Sequence, residues 1–151
     1  PEFVASDLLS QAEHDELASS ILVTPSRQLA EKVDAEVERQ LANLARKEIA
    51  RKAIDRFGAI VLVDGLQEAA DVSNAIAPEH LELAVEKPFE LLGLIKNAGA
   101  ILSTDSFMKK SSLIFYTREG LDRVGEAVMQ IADVEGLEAH GNTIRVRMAK
   151  K

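Results

Sequence analysis

The stretch GAIVLVDG, residues 58–65, decides the fold class of this chain. Ala59 to Val63 form an unbroken apolar run of the length of a buried strand, and Asp64-Gly65 then supplies a turn into a helical pattern. An apolar run that lies between two helices is typical of a strand in a parallel sheet. The segment therefore favours an α/β protein built from βαβ units.

The sequence before this strand shows the same alternation. Residues 3–19 have helical spacing, and Ser20 to Val23 (SILV) form a second short apolar run. Thr24-Pro25 then offers an N-cap residue followed by proline at the first helical position. From Leu29 to Phe57 apolar residues mark one face, which predicts a single helix of about 45–50 Å that ends at Gly58.

Two further strands are predicted after it. A helix with Ala69 to Ile76 on its apolar face is broken by Pro78, and Leu81–Val85 follows as the third strand. A short helix over residues 88–97 precedes the fourth strand, Ala98–Leu102. The predicted fold class is a small Rossmann-like or flavodoxin-like α/β layer of about four parallel strands.

The last third of the chain has a different pattern. Leu113–Tyr116 is apolar, Arg118–Val134 predicts an amphipathic helix, and the alternation in Thr143–Met148 predicts an edge strand. We therefore expect residues 1–102 to form an α/β half-domain. Residues 103–151 are expected to form a C-terminal helical appendage.

Composition excludes several classes of function. The net charge of −7 argues against a nucleic-acid binder, and no apolar run is long enough for a membrane span. The N-terminus lacks the pattern of a signal peptide, and the absence of cysteine excludes disulfides and thiolate metal sites. These features fit a cytoplasmic protein. Neither a GxGxxG nor a GxxxxGK[ST] loop is present, which argues against a nucleotide site built by this chain alone.

The three histidines are the remaining candidates for chemistry. Gln11 and His14 are three residues apart on a predicted helix, so they could offer an oxygen and a nitrogen to one metal, or simply lie on a solvated face. Glu79 and His80 could act as a base and an acid–base pair, or belong to a polar loop. His140 is near the end of the chain, where a mobile tail is the alternative.

Three segments that contain these residues resemble histidinol dehydrogenase. They are LLSQAEHDELASSILVT at 8–24, AIAPEHLELA at 75–84 and IADVEGLEAHGNTIRVRM at 131–148, and the resemblance covers residues 1–102 and 106–148. The family oxidises histidinol to histidine through the aldehyde, with zinc and two NAD, as a homodimer.

The resemblance implies a role for each candidate. Gln11, His14 and His140 look like zinc ligands, with His140 reaching in from the tail of the other subunit. Glu79 and His80 look like the catalytic pair, in which Glu79 activates water and His80 shuttles protons. Glu135 looks like a substrate contact from the same tail as His140. His80 and His140 also look like substrate-binding residues.

Two departures from the family limit what this sequence is expected to do. The N-terminal part with the NAD-binding domain is absent, and after Leu102 an excursion that holds the aspartate zinc ligand is missing. Asp105 resembles the segment beyond that excursion, so it is not the missing ligand, although the shortened loop could make it a substitute.

We therefore interpret the chain as an excised and joined fragment, engineered as a folded scaffold without catalysis. Zinc binding is expected to be weak or absent, and NAD binding absent. The alternatives are a zinc- and histidinol-binding half-site with residual or complementable activity, and a module that assembles with the missing N-terminal part. Exposed strand edges predict a homodimer or an oligomer that exchanges the tail from about residue 103.

Overall fold

The computed structural model describes residues 1–99 and 117–149. These residues form two compact units: the first contains residues 1–22, 26–61 and 117–149, and the second contains residues 23–25 and 62–99. The helices of the predicted C-terminal appendage belong to the first unit. The predicted domain boundary between residues 102 and 103 and the predicted apolar segment 113–116 lie outside the described residues.

Helices dominate the described chain, and two strands interrupt them. In chain order the elements are α1 (Glu2–Ala12), β1 (Ser20–Thr24), α2 (Arg27–Leu41), α3 (Lys47–Phe57), β2 (Gly58–Leu62), α4 (Leu66–Ile76), α5 (Pro88–Leu92), α6 (Arg118–Glu135) and α7 (Glu138–Ala149). None of these described helices is long and apolar enough to cross a bilayer.

The sheet is smaller than the sequence predicts. β1 and β2 pair in parallel, which confirms both apolar runs as strands and the α/β class, but the described residues contain no third or fourth strand. Leu81–Val85 is irregular, with Glu82 and Ala84 exposed. A strand needs a neighbour for its backbone hydrogen bonds, and no described segment pairs with this one. Of the predicted strand 98–102, residues 98 and 99 are irregular and the rest lies outside the described residues.

The predicted long helix is wrong, because it is two helices. α2 ends at Leu41 and α3 begins at Lys47, with tight i to i+3 backbone bonds at Asn43 and Leu44 between them. Asn43 also donates its side-chain amide to the Arg39 carbonyl, which favours a turn over a continued helix. Leu44 is buried at this corner, and both helices contact α1. Burial on a shared neighbour therefore outweighs continuation of the helix.

The start of α2 also differs from the prediction. Ser26, not Thr24, is the N-cap: its hydroxyl accepts a hydrogen bond from the Leu29 N–H at 3.1 Å. Pro25 therefore precedes the cap instead of occupying the first helical position. Thr24 is the last residue of β1 and is buried.

The predicted edge strand Thr143–Met148 is wrong, because these residues are part of α7. The helical spacing brings Ile144 and Met148 together over Gly125 of α6, where a Cβ would lie 2.6 Å from the Met148 sulfur. On another side of α7, Arg147 binds Asp7 of α1 through bonds of 2.6 and 2.8 Å. α7 therefore lies between α1 and α6, and this packing overrides the strand-like alternation.

The core of the first unit is built from small and branched apolar side chains. Leu9 and Val33 are the largest fully buried ones, and Ala139 brings α7 into the same cluster. Alanines let neighbouring helices approach closely, so the end of α1 and the start of α7 come within hydrogen-bonding distance. The cluster consists of Ala5, Leu9, Ala12, Val33, Val37, Leu41, Leu44, Ala50, Ala53 and Ala139.

Candidate functional site

Gln11 and His14 lie where α1 ends. Gln11 is in the last turn of the helix, whereas His14 is in the turn that follows, so the predicted helix over 3–19 stops earlier than expected. The His14 N–H donates to the Gln11 carbonyl at 3.3 Å, which holds the turn against the helix end. Gln11 is half-buried and His14 is exposed.

The structure brings His140 of α7 to His14. Their Nε2 atoms are 2.9 Å apart, and the rings meet edge to face with centroids 4.5 Å apart. Both residues belong to one chain and one compact unit here. The predicted arrival of His140 from a second subunit stays a prediction.

Glu13 is the residue that positions His140. Its side chain is fully buried, and its Oε1 accepts hydrogen bonds from the His140 Nδ1 at 2.8 Å and the His140 backbone N–H at 3.1 Å. Its Oε2 accepts from the Ala139 N–H at 2.9 Å. Both amides are in the first turn of α7, where backbone donors lack helical partners and a negative charge is favoured.

Burial and hydrogen bonding act in opposite directions on the pKa of Glu13. Burial raises it, but the bonds from the His140 ring and from the two amides more than offset this effect. The pKa of Glu13 therefore lies below its ordinary value, and the carboxylate is charged at neutral pH. A charged acceptor at Nδ1 favours a proton on that nitrogen of His140. In the neutral ring with this proton, the His140 Nε2 accepts the 2.9 Å hydrogen bond, and the His14 Nε2–H donates it.

This arrangement suits a metal such as zinc in part. Imidazole Nε2 is a common zinc donor, and a carboxylate on the opposite ring nitrogen is the usual support for such a ligand. Within residues 1–99 and 117–149, however, no group of three or more histidine, cysteine or acidic side chains is arranged to hold a metal ion. Asp105, the possible substitute ligand, lies outside the described residues. The donor set is therefore that of an incomplete site.

Glu79 and His80 belong to the second unit. Both are exposed, in the irregular segment between α4 and α5. The segment begins at Ala77, whose φ of 52° is left-handed, and the Pro78 carbonyl accepts the Gly99 N–H at 2.8 Å. A Cβ on Gly99 would lie 2.7 Å from the Glu79 carbonyl oxygen, so only glycine fits there without a shift.

Asn74 of α4 binds the backbone of the residues that precede Gly99. Its side-chain oxygen accepts the backbone N–H groups of Lys96 and Asn97 at 2.6 and 3.1 Å, and its amide donates to the Leu94 carbonyl at 2.8 Å. The turn before Gly99 is therefore fixed to α4. The catalytic roles predicted for Glu79 and His80 stay predictions.

Glu135, the predicted substrate contact, ends α6. It is exposed and precedes Gly136, whose φ of 70° closes the helix in the left-handed conformation. Its role also stays a prediction.

The sequence reasoning missed Glu13. The residue lies between the two predicted ligands Gln11 and His14, but nothing in its spacing distinguishes it from an exposed glutamate. A signal existed in α7, whose first amides need an acceptor. The signal was hidden because Thr143–Met148 was predicted as a strand.

Comparison with known proteins adds to this geometry. The family described as Histidinol dehydrogenase matches residues 1–103 and 101–148. Histidinol dehydrogenases of Geobacter metallireducens and Geobacter sulfurreducens are each 47% identical to this chain, over an alignment that covers 98% of it. A crystal structure of histidinol dehydrogenase from Elizabethkingia anophelis is 31% identical, with a TM-score of 0.64 over 99% of this chain and 42% of that one.

The chain spans only 41% and 42% of the length of the two Geobacter relatives. The alignment to each runs over 180 positions, more than the 151 residues of the chain, so the relatives carry residues within the matched region that this chain lacks. The two matched family segments meet at residues 101–103, where the sequence predicts the missing excursion. Over nearly its whole length, and on both sides of this junction, the chain belongs to the histidinol dehydrogenase family.

Proposed function

We propose that this chain is a zinc-binding half-site of a histidinol dehydrogenase, with Gln11, His14 and His140 as the ligands that it retains. One observation carries the proposal: the Nε2 atoms of His14 and His140 lie 2.9 Å apart, with the other ring nitrogen of His140 on the buried Glu13 carboxylate. The two Nε2 atoms share one proton in this hydrogen bond, and a zinc ion that binds both imidazoles would take the place of that proton.

The proposed reaction of the complete enzyme is oxidation of histidinol to histidine, a step of histidine biosynthesis, with NAD as the hydride acceptor. Zinc, when bound, polarises the substrate's alcohol. Among this chain's residues, His80 takes the alcohol proton and Glu79 activates the water that attacks the aldehyde. Glu135, His80 and His140 bind the substrate. The exposure of Glu79 and His80 supports access for substrate and water.

Turnover by this chain alone is not part of the proposal. The chain matches less than half of its relatives' length, and the aspartate ligand and the NAD site implied by the family belong to the remainder. The junction near residues 101–103 supports a chain joined across a missing segment. That the joining was engineered, and that the chain is a scaffold without catalysis, stays the competing proposal. If zinc does not bind, the chain is such a scaffold, and His14 and His140 have no role in metal binding.

A calorimetric titration of metal-free protein with zinc tests the proposal. The sequence alone predicts weak or absent zinc binding, but the contact between His14 and His140 favours a site. The half-site therefore predicts submicromolar binding in the wild type and its loss in His14→Ala. His80→Ala is the matched control, because it removes a histidine from the second unit and should leave the affinity unchanged. Absence of binding, or binding that does not depend on His14, would contradict the half-site.

Complementation tests the link to catalysis. The chain is mixed with the N-terminal part of a relative, and histidinol-dependent formation of NADH is followed. Activity that requires both parts, and that is lost in His80→Ala, would support the predicted partner and the predicted role of His80. No activity in a mixture that forms a complex would contradict the proposal that the activity can be complemented, because the aspartate ligand that is missing after Leu102 would then be indispensable.

We also propose that two copies associate and exchange the tail. Val134 and Ile131 of α6 are 89% and 59% exposed, and Ile60 and Leu62 of β2 are also partly uncovered within this chain. Apolar surface of this kind favours association. Light scattering at high protein concentration should give the mass of a dimer, and a monomer there would contradict the proposal.

A further inference from the structure

We infer that Glu13 is a positioning residue for the metal half-site: it fixes both the backbone and the ring of His140 so that the Nε2 lone pair faces His14. Both carboxylate oxygens are used, one by the Ala139 N–H and the other by the His140 N–H and Nδ1. The inference rests on the proposed function, since it assigns Glu13 a role toward the same metal.

The first step of the argument is the anchoring of α7. Ala139 and His140 occupy the first turn of this helix, where the backbone N–H groups have no acceptor within the helix. Glu13 supplies that acceptor from the end of α1, 126 residues earlier in the sequence. The start of α7, and the Cα of His140 with it, is thereby fixed to the chain segment that carries Gln11 and His14.

The second step concerns the ring. An imidazole on a helix can rotate about its side-chain torsions and can carry its proton on either nitrogen. The bond from Nδ1 to a carboxylate removes both freedoms, because it requires a proton on Nδ1 and sets the direction of Nε2. The Glu13 side chain is itself fully buried, and Ala12 and Ala139, which belong to the core cluster, are its neighbour in the chain and the residue whose N–H it accepts.

The third step separates Glu13 from the other acids near the helix end. Asp15 bonds the Leu17 N–H, and Glu16 forms an ion pair with Lys52 at 2.6 Å, so both stabilise local structure. Glu138 accepts the Ala45 N–H. Among the hydrogen bonds of these four acids within the described part of the chain, the bond of Glu13 is the one that reaches the ring of a predicted ligand.

A measurement on metal-free wild-type protein tests the inference without any variant. Long-range ¹H–¹⁵N correlation spectra of the histidine rings at pH 8 report which nitrogen carries the proton. We expect His140 in the Nδ1–H form. A dominant Nε2–H form would overturn the inference even if zinc binds.

The second test is the variant Glu13→Gln, which keeps the side-chain shape but removes the charge. We expect the zinc affinity to fall by about 10–100-fold, the range known for supporting carboxylates, and the Nδ1–H preference to be lost. Glu16→Gln is the matched control, because it removes the same group three residues away and should leave both readouts unchanged. An unchanged affinity in folded Glu13→Gln would overturn the inference.

A double-mutant cycle shows whether Glu13 acts through His140. In the His140→Ala background, Glu13→Gln should cause no further loss of zinc affinity. An equal loss in both backgrounds would mean that Glu13 acts on the fold or on His14, and would overturn the inference. Failure of wild-type protein to bind zinc would instead contradict the proposed function, while the ring spectra would still decide the role of Glu13.

Discussion

The two regions with candidate chemistry are held in opposite ways. His14 and His140 meet inside the first unit. His140 follows Ala139 of the core cluster, and the buried Glu13 carboxylate accepts three hydrogen bonds from these two residues. Glu79 and His80 lie in the second unit on an exposed, irregular segment fixed mainly through its backbone. In the first region, hydrogen bonds position the side chains themselves. In the second region, the described hydrogen bonds position the backbone.

The difference shows which part of an active site a fragment can retain. A ligand pair is organised locally when its supporting carboxylate and its core are in the same unit. Side chains on an exposed, irregular segment have no such local support, and the acid–base roles proposed for Glu79 and His80 therefore need further positioning contacts. Under the proposed function, the residues assigned to the metal are therefore held more firmly in this chain than the residues assigned to proton transfer.

The largest expected effect on stability comes from truncating a buried side chain of α1, the helix that ends just before His14. Leu9→Ala empties a position that is 1% exposed, and should destabilise the protein by about 2–5 kcal/mol. Urea unfolding followed by circular dichroism measures the loss. Leu17→Ala is the matched control, since Leu17 is 70% exposed and its truncation should cost little. Equal losses of stability in the two variants would contradict this comparison, because burial of Leu9 in the core would then contribute no more than the exposed Leu17.

A smaller effect is expected when the second region is changed alone. Gly99→Ala places a Cβ 2.7 Å from the Glu79 carbonyl oxygen, and should cost about 1–3 kcal/mol because the backbone has to move. Gly93→Ala, where nothing lies within 4 Å, is the control in the same unit. Amide chemical shifts should change at Glu79 and His80, with no change in zinc affinity. A changed zinc affinity would show that the two regions are coupled.

The smallest expected effect is a pH dependence away from both regions. Bidentate bonds from Arg39, at 2.6 and 2.8 Å, lower the pKa of Glu36 from 4.5 to about 2. A lowered folded-state pKa contributes stability that is complete above pH 4.5 and is lost as the pH falls toward 2. The contribution is small, because the Arg39 side chain is 63% exposed and solvent screens the pair.

Urea midpoints of wild type and Glu36→Gln at pH 6 and pH 2.5 measure this effect. The midpoints should differ at pH 6, and the difference should be clearly smaller at pH 2.5, where part of the contribution is lost. A difference that stays constant across this range would mean that Glu36 stabilises α2 through packing and not through its charge. The zinc affinity of Glu36→Gln at pH 7 should equal that of the wild type.

Local sequence patterns predicted several elements well. The runs SILV and AIVLV are strands β1 and β2, and α4 and α6 have nearly the predicted bounds. These predictions succeed because apolar periodicity, glycine and proline act within a few residues. The predictions fail where a distant neighbour decides, as at the corner of Leu44 and in α7, whose alternating residues are helical between α1 and α6.

The candidate site also has features that the sequence predicts and features that depend on distant contacts. Family resemblance names Gln11, His14 and His140, and residue type alone explains why they suit zinc. Neither the 2.9 Å approach of the two histidines nor the role of Glu13 could be predicted, because both depend on contacts across 126 or more residues.

By itself the sequence determined the α/β class and the two strands, which follow from residue types and short spacings that act before any tertiary contact forms. The family followed from the resemblance of three segments of the sequence. Only the tertiary structure decided that α2 and α3 are separate, that α7 is a helix, and that a buried Glu13 supports His140. The physical reason is that burial and long-range hydrogen bonds have free energies larger than local propensities, and their partners are adjacent only after folding.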